Sequence, residues 1–66
     1  MRINLNGDSA DSRGAQTVDD LVRRLELAPS AVLIEHNGVA LHRREWAQTK
    51  LTEGDQIEVV RVVAGG

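Results

Sequence analysis

The first and last segments of the chain alternate between apolar and polar residues, the period-2 pattern of a strand with one buried face. Near the N-terminus, residues 2–6 carry Ile3 and Leu5 on one face and polar side chains on the other. Near the C-terminus, residues 56–63 predict the strongest strand, with Ile57, Val59 and Arg61 on one face and Glu58, Val60 and Val62 on the other.

A period of 3.6 replaces this alternation in the middle of the first half, where the sequence predicts a helix. Thr17 is a favourable N-cap, and Asp20 follows three residues later, as in a short capping box. The apolar residues then recur at i, i+3, i+4 and i+7 and form one stripe: Val18, Leu21, Val22 and Leu25. We expect Pro29 to stop the helix within a few residues of Leu25.

Turn residues divide the remaining chain into short strands. Asn6-Gly7-Asp8 predicts a turn after the first strand, and the polar residues 9–16 predict at most a weak edge strand returning beside it. Residues 31–35 and 39–41 predict two strands joined by His36-Asn37-Gly38. Residues 43–46 predict one helical turn, and Glu53-Gly54-Asp55 predicts the turn that leads into the last strand.

This element order predicts an α+β protein, a small mixed sheet with one main helix packed across one face. The crossover after the first hairpin leaves the N- and C-terminal strands free to pair in parallel. The β-grasp, or ubiquitin-like, fold has this order. We expect residues 1–66 to form a single domain with a flexible C-terminal Gly-Gly tail at about residues 63–66.

Composition and charge exclude several classes of function. The net charge is −2, and the eight basic residues are scattered, so nucleic-acid binding is not expected. No apolar stretch reaches the roughly 20 residues that span a membrane, and no signal peptide is visible, so a cytoplasmic location is expected. Because the chain has no cysteine, thiolate catalysis and cysteine-based metal sites are excluded.

Several short motifs together resemble the ThiS family of sulfur carriers in thiamine biosynthesis, over the whole chain. They are Gly14-Ala15-Gln16-Thr17-Val18, His36-Asn37-Gly38, Arg43-Arg44-Glu45-Trp46-Ala47, Glu53-Gly54-Asp55-Gln56-Ile57 and the Val63-Ala64-Gly65-Gly66 end. The Arg-x-x-Trp turn followed by Gly-Asp and a terminal Gly-Gly is the most specific combination. One departure is His42, where many family members place proline.

The resemblance implies that the chain is a carrier and not an enzyme. A separate ThiF-type enzyme would adenylate the Gly66 carboxylate using ATP. Sulfur from a donor protein would then replace AMP to give a thiocarboxylate, which delivers its sulfur to a ThiG-type thiazole synthase. No cofactor would be bound by the chain itself, because neither a Gly-x-x-x-x-Gly-Lys nor a Gly-x-Gly-x-x-Gly loop occurs in it.

The chemistry of the C-terminus suits this role. An α-carboxylate with a pKa of about 3.5 is ionised at neutral pH and needs no base before it attacks phosphorus. Ala64 and Gly65 precede Gly66, and the absence of Cβ at the two glycines allows close approach inside an enclosed active site. A chance Gly-Gly at the end of the chain is the alternative interpretation.

Two further surface predictions concern Val60 and Val62. Apolar residues on the outer face of a sheet suggest a partner-docking surface, and isolated exposed valines are the alternative.

Trp46 is expected to close the edge of the core rather than to stack on a ligand. His36 and His42 are expected to be surface histidines, because no third metal ligand lies near them in sequence.

Three rival functions remain open at this stage. The first is the small subunit of molybdopterin synthase, another sulfur carrier that ends in Gly-Gly. The second is a ubiquitin-like modifier joined to lysines through the same carboxylate. The third is a docking module that binds partners non-covalently through its surface and in which the tail has no role.

Overall fold

A computed structural model describes residues 1–62 of the chain, and the predicted tail, Val63 to Gly66, lies outside the described residues. Five strands form one sheet: β1 (Arg2–Leu5), β2 (Asp8–Asp11), β3 (Val32–His36), β4 (Val39–Leu41) and β5 (Gln56–Arg61). The helix α1 (Val18–Arg24) crosses between β2 and β3, and 3-10 helices occupy Pro29–Ala31 and Arg43–Gln48. Apart from end residues and the 3-10 helix at Pro29–Ala31, which the sequence did not predict, these elements follow the predicted order.

The sheet has the strand order β2-β1-β5-β3-β4. β1 pairs with β5 in parallel, as predicted, while β1–β2, β3–β4 and β3–β5 are antiparallel. The strand nearest the C-terminus is therefore the central strand. The mixed sheet with one helix confirms the β-grasp prediction.

Two tight turns build the hairpins at either edge of the sheet. Asn6 and Gly7 have φ values of 51° and 87°, and Asn37 and Gly38 have 51° and 84°. Both central residues of a two-residue type I′ turn need positive φ, which Asn and Gly tolerate best. These local sequences therefore set the register of both edge strands.

The start of α1 and the position of its end near Leu25 agree with the sequence prediction, but the predicted cause of the end does not. Thr17 Oγ1 accepts a hydrogen bond from the Asp20 amide at 3.1 Å. The prediction that Pro29 stops the helix is wrong: α1 ends at Arg24, and Pro29 begins a separate 3-10 helix.

A Schellman motif ends α1 in place of the proline. The Glu26 amide donates to the Arg23 carbonyl, and the Leu27 amide donates to the Val22 carbonyl. Glu26 adopts the left-handed conformation with φ 57°, in a position that glycine usually fills.

The core lies between one face of the sheet, the helix and the second 3-10 helix. Its fully buried members are Ile3, Ala15, Val18, Leu21, Val22, Val32, Ile34, Trp46, Leu51 and Ile57. Trp46 is 2% exposed, which confirms that it closes the core. Within residues 1–62, no helix is long and apolar enough to cross a membrane.

His42 occupies the N-cap of the second 3-10 helix. Its backbone, at φ −70° and ψ 148°, has the φ that proline requires. Its amide, however, donates a hydrogen bond to the Glu45 carboxylate at 2.7 Å, and proline has no such donor. The departure from the family pattern at this position thus keeps the backbone shape and adds one contact.

Candidate functional site

β5 precedes the predicted sulfur-carrying C-terminus in the chain. The contacts of β5 therefore show how firmly the backbone is held before that C-terminus. The Asn4 and Asn6 amides donate to the carbonyls of Asp55 and Ile57, both at 2.9 Å. In the opposite direction, the Val59 amide donates to the Asn6 side-chain oxygen at 2.8 Å. β1 therefore holds β5 through both backbone and side-chain contacts.

The last described residue is held as well. The Val62 amide donates to the Ala31 carbonyl at 2.8 Å, although Val62 lies beyond the end of β5. The predicted strand over residues 56–63 thus ends early, at Arg61, but its backbone direction is fixed through Val62. Residues Ala64, Gly65 and Gly66, the predicted tail, lie outside the described residues.

A second anchor lies at the start of β5. Asp55 is 9% exposed, and its Oδ2 lies 2.8 Å from His36 Nε2 and accepts the Thr52 amide at 2.8 Å. The Asn37 side-chain amide donates to Asp55 Oδ1 at 3.1 Å. Burial raises the pKa of Asp55, but the hydrogen bonds from His36, Asn37 and Thr52 outweigh it and hold that pKa below its ordinary value.

This anchor corrects the prediction that His36 is a surface histidine. The side chain of His36 is only 20% exposed and contacts Asp55. His36 and His42 do not form a metal site: within residues 1–62, no group of three or more His, Cys, Asp or Glu side chains is suitably arranged to hold a metal ion.

Val60, one of the two predicted docking residues, lies on the face of the sheet opposite α1, whereas Val62, the other, lies beyond the end of β5. Val60 is 45% exposed and Val62 is 48% exposed, whereas Ile57 on the other face of β5 is buried. The structure adds Leu33, which is 59% exposed and lies directly opposite Val60 in the β3–β5 register. Sequence alternation suggested which face Val60 occupies, but only the strand register identifies Leu33 as its neighbour.

Two grooves lie on the side of the molecule that carries α1, near the end of β5. A groove of about 430 Å³ is lined by residues that include Ala31, Arg61 and Val62. A second groove, of about 240 Å³, is lined by residues that include Leu5, Leu25 and Val59. Leu27 and Arg61 line both grooves. The surface beside the end of β5, on the side that carries α1, is therefore concave and largely apolar.

Comparisons with known proteins agree with this architecture. The chain is 32% identical to the sulfur carrier protein ThiS of Escherichia coli over 66 residues, covering all of both chains. It is also 36% identical over 66 residues to a thiazole synthase of Magnetococcus marinus, of which it spans only 20%. The crystal structure of the thiamine biosynthesis protein ThiS from Geobacter metallireducens superposes with a TM-score of 0.83 at 30% identity, covering all of both chains.

The family comparison extends across nearly the entire sequence. The model of the ThiS family matches residues 3–66, a range that includes the strand β5, the exposed valines Val60 and Val62, and the terminal glycines. The resemblance seen in the sequence motifs is thereby confirmed, and the chain belongs to the ThiS family.

Proposed function

We propose that this chain is a sulfur carrier in thiamine biosynthesis and that the carboxylate of Gly66 is the group that carries the sulfur. The observation that carries the proposal is the family match over residues 3–66, which continues through Gly65 and Gly66. The full-length similarity to E. coli ThiS, a curated sulfur carrier, supports it. The chain would be a substrate of other proteins and not a catalyst.

The first chemical step is adenylation. A carboxylate oxygen of Gly66 attacks the α-phosphorus of ATP, and pyrophosphate leaves with the electron pair of the broken P–O bond. The product is an acyl adenylate whose carbonyl carbon is electrophilic. Because the 66 residues contain neither nucleotide-binding glycine loop, we infer that a ThiF-type partner binds ATP.

The second step exchanges oxygen for sulfur. A sulfur nucleophile at the oxidation level of sulfide, supplied by a donor protein, attacks the carbonyl carbon, and AMP leaves with the shared oxygen. The resulting thiocarboxylate keeps the sulfur bound to the protein. Its acceptor would be a ThiG-type thiazole synthase, since two curated thiazole synthases contain a segment similar to this chain.

The described part of the chain suits this role through its rigidity. β5 is the central strand, and the Val62–Ala31 hydrogen bond holds the backbone at the base of the tail. We infer that residues 63–66 enter the partner's active site while the exposed residues Val60 and Val62 rest on the partner's surface. Exposed apolar side chains beside a reactive terminus are suited to such docking.

The test is a mass measurement on the intact chain. The chain is incubated with its adenylating enzyme, ATP and a sulfide source, and then fragmented to locate any change. We expect a mass gain equal to one oxygen-to-sulfur exchange at Gly66, dependent on ATP and absent from a variant lacking Gly66. An unchanged mass, with an enzyme that thiolates E. coli ThiS under the same conditions, would contradict the proposal.

The same preparation separates the rival functions. A thiocarboxylated chain that supports thiazole formation with a thiazole synthase is the expected result. Sulfur transfer only to a molybdopterin precursor would favour the first rival, and isopeptide bonds between Gly66 and lysines would favour the modifier. Full function without Gly66 would favour the docking module.

A further inference from the structure

Four residues on the outer face of the sheet form two cross-strand pairs, which we call the outer-face patch: Leu33, Glu35, Glu58 and Val60. In the antiparallel register of β3 and β5, Leu33 lies opposite Val60 and Glu35 lies opposite Glu58. The apolar pair is therefore one step along the sheet from the acidic pair. Both pairs are on the face that α1 leaves uncovered.

The acidic pair is unfavourable in the free chain. Directly opposed residues on antiparallel strands have Cβ atoms only about 4.5–5.5 Å apart, and like charges in that position are destabilising. Within residues 1–62, the ion pairs involve Asp11, Asp19 and Asp55 but neither Glu35 nor Glu58.

A bound cation would relieve the repulsion between the two carboxylates. The neighbouring apolar pair restricts which kind of molecule can supply that cation. Leu33 and Val60 are 59% and 45% exposed, so a matching surface must bury apolar side chains there. A small metal ion or a polyamine would satisfy the carboxylates but leave the leucine and valine in water. A protein surface that combines apolar side chains with an arginine or lysine satisfies both pairs.

We propose that Glu35 and Glu58 select the adenylating partner by pairing with a basic side chain beside its apolar contact. This inference rests on the proposed carrier function and specifies its first partner. The electrostatic pairing sets association rate and specificity, whereas the apolar pair supplies buried area. An arginine, with its planar fork of donors, can bond both carboxylates at once.

The direction of β5 also fixes the orientation of the partner. Val60 lies two residues closer to Gly66 than Glu58 does, and a strand rises about 3.3 Å per residue. The apolar contact of the partner therefore lies nearer its active site, and its basic side chain lies roughly 6–7 Å farther away. A carrier docked in the opposite direction would place a cation on valine and apolar atoms on glutamate.

The test compares charge reversal inside and outside the patch. Glu58→Lys is measured against Asp8→Lys, which makes the same charge change at an exposed position on the edge strand β2. Equilibrium binding of the full chain to its adenylating enzyme is titrated at low and high salt. We expect Glu58→Lys to weaken binding at least tenfold and Asp8→Lys to change it less than twofold.

Two further measurements address stability and salt. Glu58→Gln removes one charge of the pair, so its urea midpoint should equal or exceed that of the wild type while its binding weakens. Wild-type affinity should fall with salt, and Glu58→Gln should reduce that dependence. Three results would each overturn the inference. The first is equal binding of the adenylating enzyme by Glu58→Lys and Asp8→Lys, and the second is a wild-type affinity that does not change with salt. The third is a Glu58→Lys variant that loses affinity for thiazole synthase but not for the adenylating enzyme.

These experiments test the electrostatic selection separately from the proposed carrier function. If sulfur is found at Gly66 and Glu58→Lys binds the adenylating enzyme as tightly as the wild type, the carrier function stands and the electrostatic selection is wrong. Binding that depends on Glu58, without any mass gain at Gly66, would retain the surface and remove the carrier chemistry.

Discussion

Asp55 and His36 lie 2.8 Å apart, Oδ2 to Nε2, and join the residue before β5 to the last residue of β3. Asn37, in the adjacent turn, contacts the same carboxylate and also accepts the Gln56 amide through its own side-chain oxygen. The contact thus connects two central strands at the end of the sheet far from the C-terminus. Its strength depends on the charge of Asp55.

We therefore predict that Asp55 makes stability depend on pH in the acid range. The folded pKa of Asp55 lies below the ordinary value of 3.8, because its hydrogen bonds outweigh the effect of burial. On acidification the unfolded chain binds a proton first, so protonation favours unfolding. The stabilisation is complete above the ordinary pKa and is lost as pH falls through the folded pKa.

Urea unfolding between about pH 7 and pH 2 checks this, with Asp55→Asn as the variant. We expect the variant to lose about 1–3 kcal/mol at neutral pH and to show a shallower decline in acid. Asp11→Asn is the control: a hydrogen bond from the Arg13 amide lowers the pKa of Asp11 too, but this carboxylate is exposed. A decline for Asp55→Asn parallel to that of the wild type would contradict the assignment.

Removing the helix N-cap should destabilise the whole domain. Thr17→Ala deletes the oxygen that accepts the Asp20 amide, and comparable cap losses cost about 1 kcal/mol. Thr52→Ala is the matched control, since Thr52 is exposed and its backbone, not its side chain, contacts Asp55. Chemical denaturation measures both, and equal unfolding free energies for the two variants would show that the cap is not required.

Replacing the left-handed Glu26 should instead stabilise the protein. Glycine has no Cβ penalty at φ 57°, so we expect Glu26→Gly to raise the unfolding free energy by up to about 1 kcal/mol. The same replacement two residues earlier, Arg24→Gly, puts glycine at the last residue of the helix and should cost up to about 1 kcal/mol. A loss of similar size in both variants would mean that the Glu26 side chain, rather than its backbone, determines the effect.

A charge on the apolar part of the outer face should slow adenylation without unfolding the chain. Val60→Asp places a carboxylate on a side chain that is already 45% exposed, so the core is unchanged. We expect at least a tenfold rise in KM for the chain in ATP–pyrophosphate exchange with its adenylating enzyme. Val39→Asp, at a 61% exposed valine on the edge strand β4, is the control and should retain wild-type KM. Unchanged kinetics for Val60→Asp would remove Val60 from the docking surface.

The features that the sequence predicted correctly depend on short stretches of chain. Asn6-Gly7 and Asn37-Gly38 specify their turns alone, Thr17 and Asp20 specify the helix start, and alternation assigns Val60 to the outer face. The parallel pairing of β1 with β5 was also predicted correctly from the order of the elements, because the handedness and length of the crossover leave few alternatives.

Other features depend on register or on distant residues and were missed. His36 and Asp55 are 19 residues apart, and Glu35 faces Glu58 only because β3 and β5 pair in one register among several that their sequences allow. The position of the helix end was predicted correctly, but its cause was not. Pro29 is a strong stop signal, whereas the Schellman motif uses Glu26, a residue with no marked preference for positive φ.

The parallel pairing of β1 and β5 has a mechanical consequence. Arg2 begins β1 and Arg61 ends β5, so the two points lie beyond opposite ends of the short ladder that pairs Asn4 with Gln56 and Leu5 with Ile57. A force applied between them, for instance when a partner pulls on the tail, loads the inter-strand hydrogen bonds in shear and together. The strands cannot separate one bond at a time, as a hairpin pulled from its open end does. The domain should therefore resist extension along this axis better than its small size suggests.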